Sequence, residues 1–417
     1  MSWNSFRRVD SLAEVLGAIA CESSTDRFIN LPEPLIELTY TSAPWAMRLE
    51  LSRGRRHPEA PHPYRSEYVR DRDRIIHSRA FRRLEAKTQV FTIRYSDHFR
   101  NRLTHTLEVV QIARTVAGAL GLNAELAEAL ALIHDIGHPP FGHAGENKLD
   151  QLMSAHGSRF NHNLQALRIV EQFESPYLDF SGLNLTFEVR EGIVKHSHDY
   201  TIAELPHLAE YLLDLRPPLE GQLIDWADEI AYNTADLDDA REAELLDLAA
   251  LREEAPIFGE AYAQIEAAYP SGREKLKFNA ALKLVLDRLA TDLIETTQHR
   301  VHLSGAATVD DIRRAPHRFA GFSKQFAEGN ADLKRFLFKH IYNHPAITED
   351  RDRSVRCLEE LFIYYLDSPG SLPASHEESV GSEPRHVVVC DYIAGMTDQF
   401  LLRKHQEHFG VSAASGH

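Results

Sequence analysis

Cysteine is scarce in this 417-residue chain: Cys21, Cys357 and Cys390 are the only three, far apart and never in a CxxC pair. A disulfide framework and a thiolate metal site are therefore not indicated, and a reducing cytoplasm is the expected setting. Long apolar runs are missing as well. Clusters such as Val387–Val389 fall far below the ~20 residues of a membrane span, so no membrane partner is expected. Neither a GxxxxGKS/T loop nor a GxSxG elbow occurs, which leaves P-loop and serine-hydrolase mechanisms without support. Cationic excess is absent too: the net charge of −16 argues against a protein that coats nucleic acid. SLAEVLGAIAC (11–21) could pass for an export signal, but Glu14 interrupts it and Asp10 precedes it, so an amphipathic helix is the better reading. The Asn184-Leu185-Thr186 sequon is accordingly read as chance.

What is present is a helical period. Alternating strand patterns are scarce and no repeat of fixed length occurs, so the expected fold class is all-α. RLTHTLEVVQIARTVAGALGL (102–122) is apolar over most of its circumference and should be buried, with Leu103, Leu107, Val110 and Ala117 on one stripe and His105, Val109, Ile112 and Val116 on the next. Asn123 is the natural N-cap of AELAEALALIHDIG, and Gly137 follows its last turn. Further helices are expected over 144–156, 162–173, 186–197, 205–215, 219–240, 241–250, 272–298, 330–343, 351–366 and 390–407. The expected organisation is an N-terminal extension (1–43), a core (44–240) and a C-terminal helical part (241–408). The Pro-, Gly-, Ser- and Glu-rich 369–386 forms a flexible loop in this reading, and 409–417 a disordered tail.

Charge and histidine are unevenly spread. Ten Lys or Arg stand against four acids between Arg70 and Arg102, which suggests a local anionic ligand unless the charges pair among themselves along a solvated helix. At 134–146 the chain reads HDIGHPPFGHAGE, with three histidines, an aspartate and a glutamate in thirteen residues. His105 on the first helix and His134-Asp135 at the end of the second precede Asp228 on a third, DWADEIAYNTADLDD (225–239). Imidazoles and carboxylates at buried positions are costly unless a cation or proton network satisfies them. Two His and two Asp without thiolate favour a hard or borderline divalent ion, Mn²⁺, Fe²⁺, Ni²⁺, Zn²⁺ or Mg²⁺, with coordination positions left for water and substrate. His143 and Glu146 lie one turn apart after the Pro139-Pro140 stop, where an imidazole oriented by a carboxylate can move a proton at neutral pH. Asp228, Tyr232 and Asp236, at i, i+4 and i+8, form one polar line on the third helix.

These stretches, with FRRLEAKTQVF (81–91), RLTHTLEV (102–109) and DYIAGMTD (391–398), resemble the HD superfamily, specifically the dNTP triphosphohydrolases of the dGTPase type, over roughly 44–408. Glu229 stands where Asp is commoner in that family. The resemblance implies His105, His134, Asp135 and Asp228 as metal ligands, His143 with Glu146 as the catalytic couple, and His138 beside them as a phosphate or supporting contact. It assigns Arg102 and Lys195 to the phosphates, with His162 a weaker candidate. Tyr232 would pack on the sugar's 2′-carbon, and Asp236 with Gln89 would take the 3′-hydroxyl. The implied reaction converts a deoxynucleoside triphosphate to deoxynucleoside and intact triphosphate. Homo-oligomers and nucleotide effectors are further expectations, and the cationic stretch allows weak binding of single-stranded nucleic acid. Two rivals stand: an HD phosphohydrolase for other nucleotides, and a nucleic-acid-binding regulator with a degenerate site.

Overall fold

The computed structural model describes residues 42–91, 98–368 and 370–410. Among these, helices and turns make up the fold; there is no β-strand, only isolated bridges of Arg55 with Thr186 and Thr88 with Asn101. The chain is all-α, as its periodicity predicts. Residues 1–41 and 411–417, which hold most of the expected extension and tail, lie outside the described residues.

The first helices are α1 (Glu67–His77), the solvated helix weighed for the cationic stretch, and α2 (Arg79–Arg83). They are followed by α3 (Arg102–Ala119), α4 (Ala124–Ile133), α5 (Gly142–Ser154), α6 (His162–Arg168), α7 (Phe187–Val194) and α8 (Leu219–Glu242). Then come α9 (Leu248–Glu254), α10 (Pro256–Ala268), α11 (Glu274–Ser304), α12 (Val309–Arg314) and α13 (Lys324–Phe336). The C-terminal helices are α14 (Pro345–Asp367), α15 (Ala374–Glu377), α16 (Arg385–Ala394) and α17 (Asp398–Phe409).

Local chemistry sets the ends that matter. Asn101 and Thr104 form a capping box that starts α3, and the Asn123 side chain accepts from the Glu125 and Leu126 N–H groups to start α4. Glu220, buried at the head of α8, accepts from the Met47 and Asn123 N–H groups and so ties α8 to the start of α4. α3 packs against both α4 and α8, and α4 against α8, so the three helices that carry the candidate ligands are mutual neighbours.

Several expectations are corrected. Leu107 of α3 faces solvent, so that helix buries the His105 stripe and only part of the other. The helix expected at 241–250 is a turn followed by α9, which Asp247 caps. Residues 205–215 hold a 3₁₀ segment, Pro206–Tyr211, and the helices expected at 162–173 and 330–343 finish as π-helical turns, Ile169–Phe173 and Leu337–Tyr342. The continuous helix expected over 390–407 is broken at 395–397, and Thr397 caps the second piece. Within 369–386 the structure places α15 and a 3₁₀ turn, Glu378–Gly381, with Arg385 bonded to the Tyr365 carbonyl.

Two hydrophobic cores result. The larger joins α1, α3, α4, α7 and α8 to α10, α11 and α13. The smaller unites α5 (Leu149, Met153) with α14, α16 and α17 (Leu358, Leu361, Phe362, Val389, Ile393, Leu401). The helix that starts with Gly142-His143 therefore rests on the C-terminal helices.

Candidate metal centre and active site

Three chain segments converge. α3 carries Arg102 and His105 on its buried face, α4 stops so that His134 is its C-cap, and α8 passes alongside with Asp228. His105 Nε2 lies 2.8 Å from Asp228 Oδ1; His134 Nε2 lies 3.7 Å from the same oxygen and 3.5 Å from Asp135 Oδ1. One donor atom each from His105, His134 and Asp228 falls within 4.8 Å of the other two. Asp135 turns Oδ2 to Arg102 Nη1 at 2.7 Å, and its Oδ1 stands 2.9 Å from His138 Nδ1.

The donor set fits a divalent cation. His134 Nδ1 bonds the Ala131 carbonyl at 2.7 Å, which fixes the ring and leaves Nε2 buried without a hydrogen-bond partner. Such an orphan is costly in a folded interior, and beside two carboxylates a cation is what would satisfy it. Burial lowers the pKa of His134 and keeps it neutral. For Asp228, burial alone would raise the pKa, but the bond from His105 and the adjacent imidazoles hold it well below the usual carboxylate range. Burial is likewise overcome at Asp135, by Arg102 and His138. A neutral imidazole and ionised carboxylates are the forms that bind metal.

A second cluster adjoins the first. The His138 and His162 rings stack at 3.9 Å, and Glu146 receives His162 Nδ1 at 2.7 Å, the His162 N–H at 3.0 Å and His143 Nδ1 at 3.3 Å. Burial would raise the Glu146 pKa, yet the bonds from His143 and His162 drive it far down. Glu146 is thus a fixed anion that orients two imidazoles. His143 is 77% exposed at its side chain, whereas burial holds His138 neutral, helped by the positive charge of Arg102. Two glycines make the loop possible by close approach. A Cβ on Gly137 would meet the His162 carbonyl oxygen at 2.0 Å, and one on Gly145 would meet that of Pro140 at 1.9 Å. Gly137 has no left-handed φ, so it is required for space and not as the helix cap its position suggested.

The remaining expected residues divide. Asp236 is buried on α8, accepts from the Tyr342 hydroxyl and is pushed by burial up to about 7. Tyr232 lies one turn before it, half-buried, with Lys334 Nζ 5.7 Å over its ring. The Gln89 backbone and Arg102 Nη2 both flank Gly142, and Gln89 Oε1 is buried without a partner. Lys195 is not brought to the cluster. Its ammonium is 1% exposed and engaged by Glu191 at 2.7 Å and by the Leu212 and Leu215 carbonyls at 2.8 and 2.7 Å. The reason is the register of α7, which turns that side chain inward, to a Glu191 also held by Arg313.

Sequence reasoning missed four neighbours of the site. His196 stacks edge-on to His134 at 5.5 Å with Nδ1 2.6 Å from Asp225; it follows Lys195 in GIVKHSHDY, so its signal was at hand. Tyr342 and Lys334 carry no motif. Lys87, inside FRRLEAKTQVF, is buried and donates to the His138 and Ala394 carbonyls, and burial lowers its pKa to about 7. Past the Asp236 end of α8 opens a cavity of about 420 Å³, lined by Phe91, Phe99, Phe141 and Ile347 with Glu242 and Arg351.

An all-α body with these two clusters at the meeting of α3, α4 and α8 has the form of an HD-domain hydrolase acting on phosphoester bonds. The HD domain family matches residues 102–233, and the family described as phosphohydrolase-associated domain matches 320–407. HD domains bind divalent metals, and the His105, His134, Asp228 group could hold one. The chain is 44% identical, over 88% of its length, to proteins named deoxyguanosinetriphosphate triphosphohydrolase-like from Thiobacillus denitrificans (97% of that relative), Geobacter sulfurreducens (94%) and Paracoccus denitrificans (100%). It belongs to the deoxyguanosinetriphosphate triphosphohydrolase-like family of HD-domain proteins.

Proposed function

We propose that this hydrolase cleaves a deoxynucleoside triphosphate at the α-phosphorus and releases deoxynucleoside and intact triphosphate. The observation that carries the reading is the polar line of α8, which runs from Asp228 in the metal cluster through Tyr232 to the buried Asp236. Eight residues of helix span about 12 Å, enough to place a phosphate at one end and a sugar at the other. His105, His134, Asp135 and Asp228 would hold the ion, whether Mn²⁺, Mg²⁺ or another first-row metal. When bound it would polarise the phosphate and lower the pKa of a water.

The chain's own groups supply the rest. Arg102 keeps Nε without a protein partner after bonding Asp135, and it offers positive charge to the phosphates together with the half-exposed Lys334, which pairs with Glu229 at 3.0 Å, in place of the fully buried Lys195. His143, oriented by Glu146, carries the proton for the 5′-oxygen or the attacking water. Tyr232 crowds the 2′ position, and Asp236, held by Tyr342, binds the 3′-hydroxyl, with Gln89 opposite. About 9 Å further along α8, Glu242 borders the cavity whose phenylalanines offer stacking faces to a base. Assembly into a homo-oligomer under a nucleotide effector belongs to the same reading and is read by light scattering with and without dNTP.

The nucleic-acid-binding alternative is disfavoured by where the cations of 70–102 go. Arg70, Arg72, Arg74 and Arg100 pair with carboxylates, Arg102 with Asp135, Arg83 bonds the Gly395 carbonyl and Lys87 is buried, while among the described cations Arg79 and Arg82 stay exposed. Incubation with each dNTP and NTP plus Mn²⁺ or Mg²⁺, with products resolved by ion exchange, tests the proposal. Free triphosphate from dNTP is expected; phosphate or pyrophosphate as sole inorganic product overturns it.

A further inference from the structure

The motif DYIAGMTD lies far from every candidate ligand in sequence, yet the break between α16 and α17 turns it into the active-site loops. Asp398 is buried and its two oxygens part: Oδ2 accepts the Thr88 N–H at 2.8 Å and Oδ1 accepts the Phe141 N–H at 3.1 Å. Thr88 precedes Gln89, and Phe141 leads into α5 two residues before His143 and five before Glu146. Lys87, next to Thr88, donates to the carbonyls of His138 and Ala394, so a second tie crosses the same junction. Arg83 to the Gly395 carbonyl at 2.9 Å and Arg168 to Asp391 at 2.6 Å fasten the segment from behind.

The loop needs an outside hold. Phe141 has φ 64° and Gly142 φ 59°, and a left-handed conformation at a bulky residue is unfavourable and persists only where surroundings impose it. Phe141 also stands at the N-cap of α5, where it has no side-chain oxygen to offer the helix. A carboxylate arriving from 257 residues later accepts the N–H of Phe141 itself, with its charge near the positive end of the α5 dipole.

We propose that Asp398 is a positioning residue for catalysis: one carboxylate from the C-terminal helices sets the loop bearing His138, His143 and Glu146 against the Gln89 wall. The C-terminal part thereby completes the active site instead of only stabilising the fold. The inference rests on the reading of His143 and Glu146 as the proton-handling pair.

Asp398→Asn keeps size and one acceptor oxygen but presents an NH₂ to one of the two N–H donors. In the full-length protein, assayed well below its melting temperature, kcat should fall roughly tenfold to a hundredfold, the scale of a misplaced catalytic group, with KM within about threefold. Hydrogen exchange should quicken at Phe141 and Thr88 while the amides of 401–408 keep their protection. Asp398→Glu, which retains the charge, should recover part of the loss; if the Asn chain fails to fold, the Glu variant carries the same two readouts. Wild-type kcat, unchanged exchange at Phe141, or protection lost equally through 385–409 overturns the proposal. Should the wild-type protein release no triphosphate from any dNTP, the functional reading falls, and the exchange comparison still decides whether Asp398 holds the loop.

Discussion

Replacing Arg102 with methionine keeps the hydrocarbon stem and deletes the charge that faces Asp135. Both side chains are buried, at 2% and 6% exposure, and the contact is 2.7 Å. Removing one partner of a buried pair costs roughly 3–5 kcal/mol because the other is stranded. With about 2.1 cal/mol/K of unfolding entropy per residue over this chain, that is a fall of roughly 3–6 °C in melting temperature. The pH dependence has a definite sign. Arg102 helps hold the Asp135 pKa below its unfolded value, so the pair stabilises the fold above about pH 4 and the contribution fades as pH falls through the folded pKa. The deficit of the methionine variant should therefore be full at pH 7 and shrink on acidification. A divalent ion beside Asp135 would compensate the same carboxylate, so saturating Mn²⁺ should narrow the gap that chelator exposes. Scanning calorimetry of both proteins in EDTA and in Mn²⁺ decides it: an identical deficit in the two conditions, or none at pH 7, would refute the assignment of Asp135 to a shared Arg102–metal environment.

Four other substitutions separate chemistry from stability. His143→Ala removes a largely exposed ring, so melting should shift by no more than about 1 °C while kcat drops roughly 10²–10⁴-fold, as steady-state kinetics would show. Asp236→Asn should be more stable than the parent at pH 8 by up to about 4 kcal/mol, the worth of raising the carboxyl from 3.8 to about 7. Because a raised carboxyl pKa penalises the ionised fold, that advantage vanishes below pH 4; denaturant titrations at pH 4 and 8 check it. Gly145→Ala, with its Cβ 1.9 Å from the Pro140 carbonyl oxygen, should lose about 1–3 kcal/mol or more and disturb α5. Gly118→Ala on α3, where nothing lies within 4 Å, should gain about 0.5–1 kcal/mol by the same melts.

Much of the candidate site was legible because its signals are local. The residues of HDIGHPPFGHAGE announce their chemistry by type, the cap Asn123 acts within three residues, and the four-residue spacing of Asp228, Tyr232 and Asp236 needs only helix geometry. Lys195 is the opposite case. A lysine in a promising stretch says nothing about which way α7 is turned, and Glu191, one turn back, had already claimed it.

By itself, then, the order of residues determined the helical class, the candidate ligand types and the helices that carry them, since hydrogen bonding and periodicity act over a few residues. Only the tertiary structure decided which cations remain for a substrate, that Tyr342 rests on Asp236, and that Asp398 reaches Phe141. Those outcomes depend on pairs separated by 106 and 257 positions. Such contacts are set by how whole helices pack to bury their apolar faces, and no short window of sequence contains that information.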